Sequence, residues 1–134
     1  MRFFTKLTAS KELRAALGLL DEASLKYEGS AFPIIRKNIE DVILKQPDEL
    51  ARIFQDGTSP RQWCYAAIAN VAGDILETGR YHVYRGVLNP LGPGPEMLSI
   101  YDKAIDELVQ IGATTTDNAE KEKMAIRANL KSVG

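Results

Sequence analysis

The sequence predicts an all-α fold: one compact domain, residues 1–134, built as a bundle of about six helices. In most of the chain, apolar residues recur every three or four positions, as they do along one face of a helix. Pro, Gly, Ser and Thr separate these periodic stretches at the places where helices begin and end. At 14.8 kDa, the chain is long enough to bury one hydrophobic core without disulfides.

Three helices are predicted in the N-terminal part. Residues 10–28 place an apolar stripe opposite mostly charged residues, and Gly29 can end that helix in the left-handed conformation. Pro33 suits the first turn of a second helix, which shows a stripe of isoleucine and valine. Pro47 ends the second helix and can open a short third one, which Gly57 closes.

The fourth predicted helix, residues 59–78, is apolar around most of its circumference. Ser59 can accept the N–H three residues on, while Gln62 can reach back to the N–H of Ser59. Pro60 stands at the first helical position, where a missing N–H costs nothing. From residue 63 to residue 76, nearly every side chain is apolar or small. We therefore expect other helices to surround this one at the centre of the bundle.

A short extended or irregular connection is predicted for residues 80–95. This segment begins with aromatic and β-branched residues, and its second half is rich in Pro and Gly. Residues 96–111 return to helical periodicity, and Gly112 ends that helix. Residues 114–117 (Thr-Thr-Thr-Asp) supply a cap for a final, charge-rich helix with a thin apolar stripe, and Asp117 with Glu120 could form a capping box there.

Composition excludes several classes of protein. The chain has 17 Lys and Arg against 18 Asp and Glu, which disfavours a general polyanion binder. Its single Cys excludes an internal disulfide and a cysteine-built zinc site. No run of apolar residues is long enough for a membrane span or a secretory signal. We expect a soluble, cytoplasmic protein that uses no metal and no cofactor.

The candidate ligand site lies after the apolar helix. Two Arg, the single His and two Tyr stand within six residues, in a segment without carboxylates. Such side chains can bind carboxylate or phosphate groups. The structural alternative, which we favour, is that Arg85 pairs with Asp74 or Glu77 and holds the connection in place. Two polar residues of the preceding helix occupy a narrow strip that could floor the same pocket. The candidate ligand-binding residues are Arg80, His82, Tyr84, Arg85, Asn70 and Asp74.

Three other arrangements have structural explanations that we favour. Cys64 stands in the first turns of a helix, but its apolar neighbours predict a small buried side chain. Asp102 and Asp106 share a helix face and could bind a hard cation, yet a solvated face is the usual reading. Residues 48–52 and the helix after them resemble a helix-turn-helix, but that second helix carries one cation, Arg61.

No motif specifies a reaction, so the function predicted first is a non-enzymatic interaction or oligomerisation module with a protein partner or a second copy. The last helix and Phe3-Phe4 are its candidate partner surfaces. The alternative is a small anionic-ligand binder, or an unusual enzyme, that uses residues 80–85. A helix-turn-helix-like nucleic-acid binder comes third, since nucleic acid is an unlikely partner for this charge distribution.

Overall fold

The computed structural model describes residues 10–27, 31–78 and 93–133, and within these ranges the chain is helical with no strand. The all-α prediction is confirmed. The helices are α1 (Ser10–Lys26), α2 (Phe32–Lys45), α3 (Pro47–Gln55), α4 (Pro60–Thr78), α5 (Pro93–Gln110) and α6 (Thr116–Val133).

The predicted connection 80–95 is wrong at its end, because α5 begins at Pro93 and not at residue 96. Prolines are tolerated in the first turn of a helix, where their missing N–H has no partner to lose. A run rich in Pro and Gly therefore opens this helix. The rest of the predicted connection, residues 80–92, lies outside the described residues.

Side-chain caps begin two of the helices. The Gln62 N–H donates to Ser59 Oγ at 3.1 Å, which confirms the predicted start of α4. At α6, the Asn118 N–H donates to Thr115 Oγ1 at 3.1 Å. The cap is therefore Thr115, one of the residues 114–117 predicted to supply it, whereas Asp117 lies inside α6 and does not start a capping box. Each hydroxyl satisfies an N–H that the first helical turn leaves without a backbone partner.

Two glycines in the left-handed conformation follow helices, as the sequence predicts. Gly57 has φ +111° after α3, and Gly112 has φ +80° after α5. Residues with a Cβ are strained in this backbone conformation. Glycine adopts it freely, so the chain can turn sharply at the end of the helix.

Helix α4 packs against α1, α2, α5 and α6, and its most extensive interface is with α5. The buried core draws on all six helices, and none of the helices in the described ranges combines the length and low charge that a membrane crossing requires. The largest fully buried side chains are Tyr65, Phe32, Leu20, Ile35, Ile39, Ile68, Leu76, Met97 and Cys64.

Burial around α4 is uneven. Trp63, Val71 and Ile75 are half-buried, while Asn70 and Asp74 are exposed. The polar strip identified in the sequence therefore faces outward. The apolar residues beside it are packed against the core without being enclosed by the described residues.

A glycine brings three helices close together. A Cβ added to Gly73 of α4 would lie 3.3 Å from Cε1 of Tyr101 on α5 and 3.9 Å from Cδ1 of Ile126 on α6. The first distance is shorter than ordinary van der Waals contact. The absence of a side chain lets the ring of Tyr101 lie directly on the α4 backbone.

Helix α6 contributes to the core through its thin apolar stripe. Ala119 is 2 % exposed and Ile126 is 3 % exposed. At these two residues the predicted apolar stripe therefore packs into the core of its own chain, while Phe3-Phe4, the other predicted partner surface, lies outside the described residues. Two charged side chains of α6, Lys123 and Arg127, form ion pairs with aspartates of α5.

Candidate functional site

The structure describes two of the six predicted site residues. Asn70 and Asp74 are exposed side chains on α4. Four others lie outside the described residues: Arg80, His82, Tyr84 and Arg85. The pocket expected between the two groups therefore stays a prediction.

A polar cleft opens elsewhere, between the end of α1 and the second half of α5, with a volume of about 320 Å³. We call it the α1–α5 cleft. Two lysines, a tyrosine, two carboxylates and an amide line it: Lys26, Tyr27, Lys103, Asp106, Glu107 and Gln110.

Tyr27 anchors one wall of the cleft. It is 5 % exposed, and its ring centroid lies 5.3 Å from that of Phe32. Its N–H donates to Ala23 O at 2.9 Å, which continues the α1 hydrogen-bond pattern for one residue beyond the helix. Burial raises the pKa of the Tyr27 hydroxyl well above its ordinary value. The hydroxyl therefore remains protonated and able to donate near neutral pH.

Both lysines of the cleft lie over tyrosine rings. The Nζ of Lys26 donates to the hydroxyl of Tyr65 at 3.4 Å and lies 5.6 Å from the ring centroid. The Nζ of Lys103 lies 6.0 Å from the ring centroid of Tyr27. A ring face attracts a cation without neutralising it. Within the described ranges, neither lysine forms an ion pair with a carboxylate.

Both carboxylates of the cleft are paired with cations outside its lining. Glu107 Oε1 accepts from Arg61 Nη1 at 2.9 Å, and Arg61 Nη2 also lies 3.5 Å from Glu22 Oε1. Asp106 Oδ1 lies 2.5 Å from Lys123 Nζ. Glu107 and Asp106 are therefore already neutralised in part. Counted with these partners, the cleft region holds four cations (Lys26, Lys103, Arg61 and Lys123) and three carboxylates (Asp106, Glu107 and Glu22), a surplus of one positive charge.

Arg61 also bears on the helix-turn-helix alternative. It is the single cation of the helix that would read nucleic acid, and it bridges Glu22 and Glu107 beside the ring of Tyr65. A guanidinium engaged by two carboxylates of its own chain is a poor phosphate contact. This geometry gives the nucleic-acid hypothesis no support.

Two other candidates have structural roles. Cys64 is 0 % exposed, and burial raises the pKa of its thiol to about 12, which confirms the predicted small buried side chain. Asp102, like Asp106, is paired across to α6: Arg127 Nη2 lies 2.5 Å from Asp102 Oδ2. Among the described residues, no group of three His, Cys, Asp or Glu side chains could hold a metal ion.

The cleft was missed in the sequence because its residues come from distant stretches of the chain. In the sequence, Tyr27 continues the apolar stripe of residues 10–28, a pattern that fits the buried ring and gives no information about the hydroxyl. Lys103, Asp106, Glu107 and Gln110 recur at intervals of three or four residues, which is the one local signal of a polar helix face. That signal is common on solvated helices, so it could not identify a cleft.

The chain matches no protein-family profile, no curated protein and no solved structure.

Proposed function

We propose that this chain binds a small anionic ligand in the α1–α5 cleft. One observation supports the proposal above others. Lys26 and Lys103 line the same cleft without an ion-pair partner in the described ranges, while both carboxylates beside them are paired with other cations. An anionic oxygen between the two ammonium groups would supply the missing countercharge.

The uncharged groups of the cleft suit the same ligand. The protonated hydroxyl of Tyr27 and the amide N–H of Gln110 are donors that can direct hydrogen bonds to carboxylate or phosphate oxygens. A volume of about 320 Å³ is near the lower end for small-molecule sites. The proposal is therefore for a ligand of few atoms.

The test is a titration of the full chain with acetate and with inorganic phosphate, followed by amide chemical shifts at constant ionic strength. We expect saturable shifts around the cleft at millimolar concentration. Lys26→Gln and Lys103→Gln should each weaken binding by about tenfold, which is the loss of one charge-assisted hydrogen bond. Lys37→Gln, which removes an exposed lysine on α2, is the matched control and should change nothing.

Two results would refute the proposal. One is that neither anion produces saturable shifts at the cleft. The other is that Lys37→Gln weakens binding as much as the cleft variants do, because the shifts would then report general charge screening.

The interaction or oligomerisation module predicted from the sequence, in a soluble cytoplasmic protein, is retained as a prediction. Its main argument was the width of the apolar helix faces, and α4 uses much of its own face against four other helices. The large apolar side chains that are exposed in the described residues are distributed over several elements: Leu25 on α1, Val42 and Leu44 on α2, Ile111 after α5 and Met124 on α6. Scattered apolar side chains are ordinary on monomers, so the geometry favours the cleft.

A further inference from the structure

We infer that the ligand of the α1–α5 cleft is a small amino acid, with its carboxylate between Lys26 and Lys103 and its ammonium against Asp106 and Glu107. This inference rests on the proposed function and narrows it to one chemical class. It follows from the charges on both sides of the cleft and from their spacing along α5.

The carboxylates of the cleft keep acceptor capacity. Arg61 engages Oε1 of Glu107, and Lys123 engages Oδ1 of Asp106. Within the part of the chain that the structure describes, the second oxygen of each carboxylate has no hydrogen-bond donor. Two negatively charged acceptors therefore line the same cleft as two lysines that form no ion pair within the described ranges.

A lining with both signs of charge discriminates between anions. A phosphate dianion placed between the lysines would also lie close to Asp106 and Glu107, and like charges at short distance repel. A carboxylate without an amino group would bind the two lysines, and the free oxygens of Asp106 and Glu107 would then bind only water. An amino acid carries one charge of each sign, so it can satisfy both groups at once.

The spacing along α5 suits a short molecule. Lys103, Asp106, Glu107 and Gln110 follow at intervals of three, four and seven residues and therefore share one helix face. Side chains three or four residues apart have Cβ atoms about 5–6 Å from each other. Lys103 and the two carboxylates are thus one helical turn apart along α5, a spacing that suits a compact zwitterion.

The experiment compares four probes on the full chain by calorimetric titration at constant ionic strength: L-2-aminobutyrate, 4-aminobutyrate, butyrate and inorganic phosphate. We expect at least one amino acid to bind about tenfold more tightly than butyrate and phosphate, as one added charge-assisted contact implies. If butyrate or phosphate binds as tightly as both amino acids, this inference is overturned while anion binding stands. If none of the four binds, the proposed function falls with it.

A pair of variants tests the ammonium contact separately. Asp106→Asn and Asp102→Asn each remove one carboxylate of α5 that is ion-paired with α6, but only Asp106 lines the cleft. We expect Asp106→Asn to weaken amino-acid binding by about tenfold and to leave butyrate binding no weaker. Asp102→Asn should change neither. The inference fails if the two variants behave alike, since the effect of Asp106 would then come from the α5–α6 pairing.

Discussion

Two isoleucines on α4 allow the contribution of its buried face to be measured. Ile68 is 0 % exposed, while Ile75 on the same helix is half-buried. Replacing each by alanine removes the same three carbon atoms. The two substitutions also gain the same helix propensity, at most about 0.7 kcal/mol. The difference between the two variants therefore reports burial, and not the residue type or the helix.

The expected magnitudes follow from that difference. Three buried carbon atoms are worth about 2.4 kcal/mol of transfer free energy at about 0.8 kcal/mol each, and an enclosed cavity adds to the loss. After the propensity gain, Ile68→Ala should lower the free energy of unfolding by about 2–4 kcal/mol. Ile75→Ala should lower it by less, about 1–2 kcal/mol, because this side chain is partly exposed and solvent can fill part of the space that it leaves.

Urea unfolding followed by fluorescence measures both variants. The single tryptophan, Trp63, lies at the start of the same helix with its ring 6.2 Å from that of Phe54, so unfolding changes its surroundings. We expect an unchanged slope and a lower midpoint, with the larger decrease for Ile68→Ala. Equal losses, or a larger loss for Ile75→Ala, would refute the burial assigned to α4 and the position of that helix in the bundle.

The remaining predictions concern the thiol, the alkaline limit, one long-range contact and self-association. Cys64 should not react with iodoacetamide before unfolding, and stoichiometric labelling of the folded chain would contradict its burial. Burial raises the pKa of Cys64 and Tyr101 each to about 12, from 9.0 and 10.0, so the folded chain keeps protons that the unfolded chain releases. The urea midpoint should therefore not depend on these two groups below about pH 8, and it should fall from about pH 9 upward. The fall should be less steep in Cys64→Ala, and a midpoint that rises over that pH range would exclude this linkage. Glu96→Ala should reduce the free energy of unfolding by about 1 kcal/mol, and Glu96→Gln by less, because the carboxylate accepts the Ala31 N–H at 3.0 Å; identical losses would show that the acceptor is immaterial. Light scattering after size exclusion should give a mass of at least twice 14.8 kDa if the chain self-associates, and a mass of 14.8 kDa at every concentration would remove that prediction.

Local chemistry made most of the helices predictable. Pro33, Pro47 and Pro60 lie in first turns of helices because a helix start needs no N–H from them. Ser59 caps α4 through an atom three residues from its partner, a distance that the sequence itself displays. Such signals involve neighbours along the chain, so they need no knowledge of the tertiary fold.

The errors at helix ends came from choices between equivalent local signals. Three consecutive threonines, residues 114–116, and Asp117 stand around the start of α6, and each of them could cap it; the structure uses Thr115. The start of α2 lacks a side-chain cap of its own. Glu96, on the first turn of α5 and 65 residues away, accepts the Ala31 N–H instead. A cap supplied from another helix leaves no local pattern to read.

The candidate site depends on which partner each charge finds, and net composition cannot supply that information. Lys103 lies one helical turn from Asp106 and Glu107, so the sequence alone would pair it with one of them. The fold brings Arg61 and Lys123 to those carboxylates instead, from α4 and α6. Among the described residues, Lys26 and Lys103 are therefore left without an ion-pair partner at one cleft, although the chain has a net charge of −1. Because tertiary packing decides the pairing, a local charge surplus is a property of the fold, and it is the surplus to which an anionic group would bind.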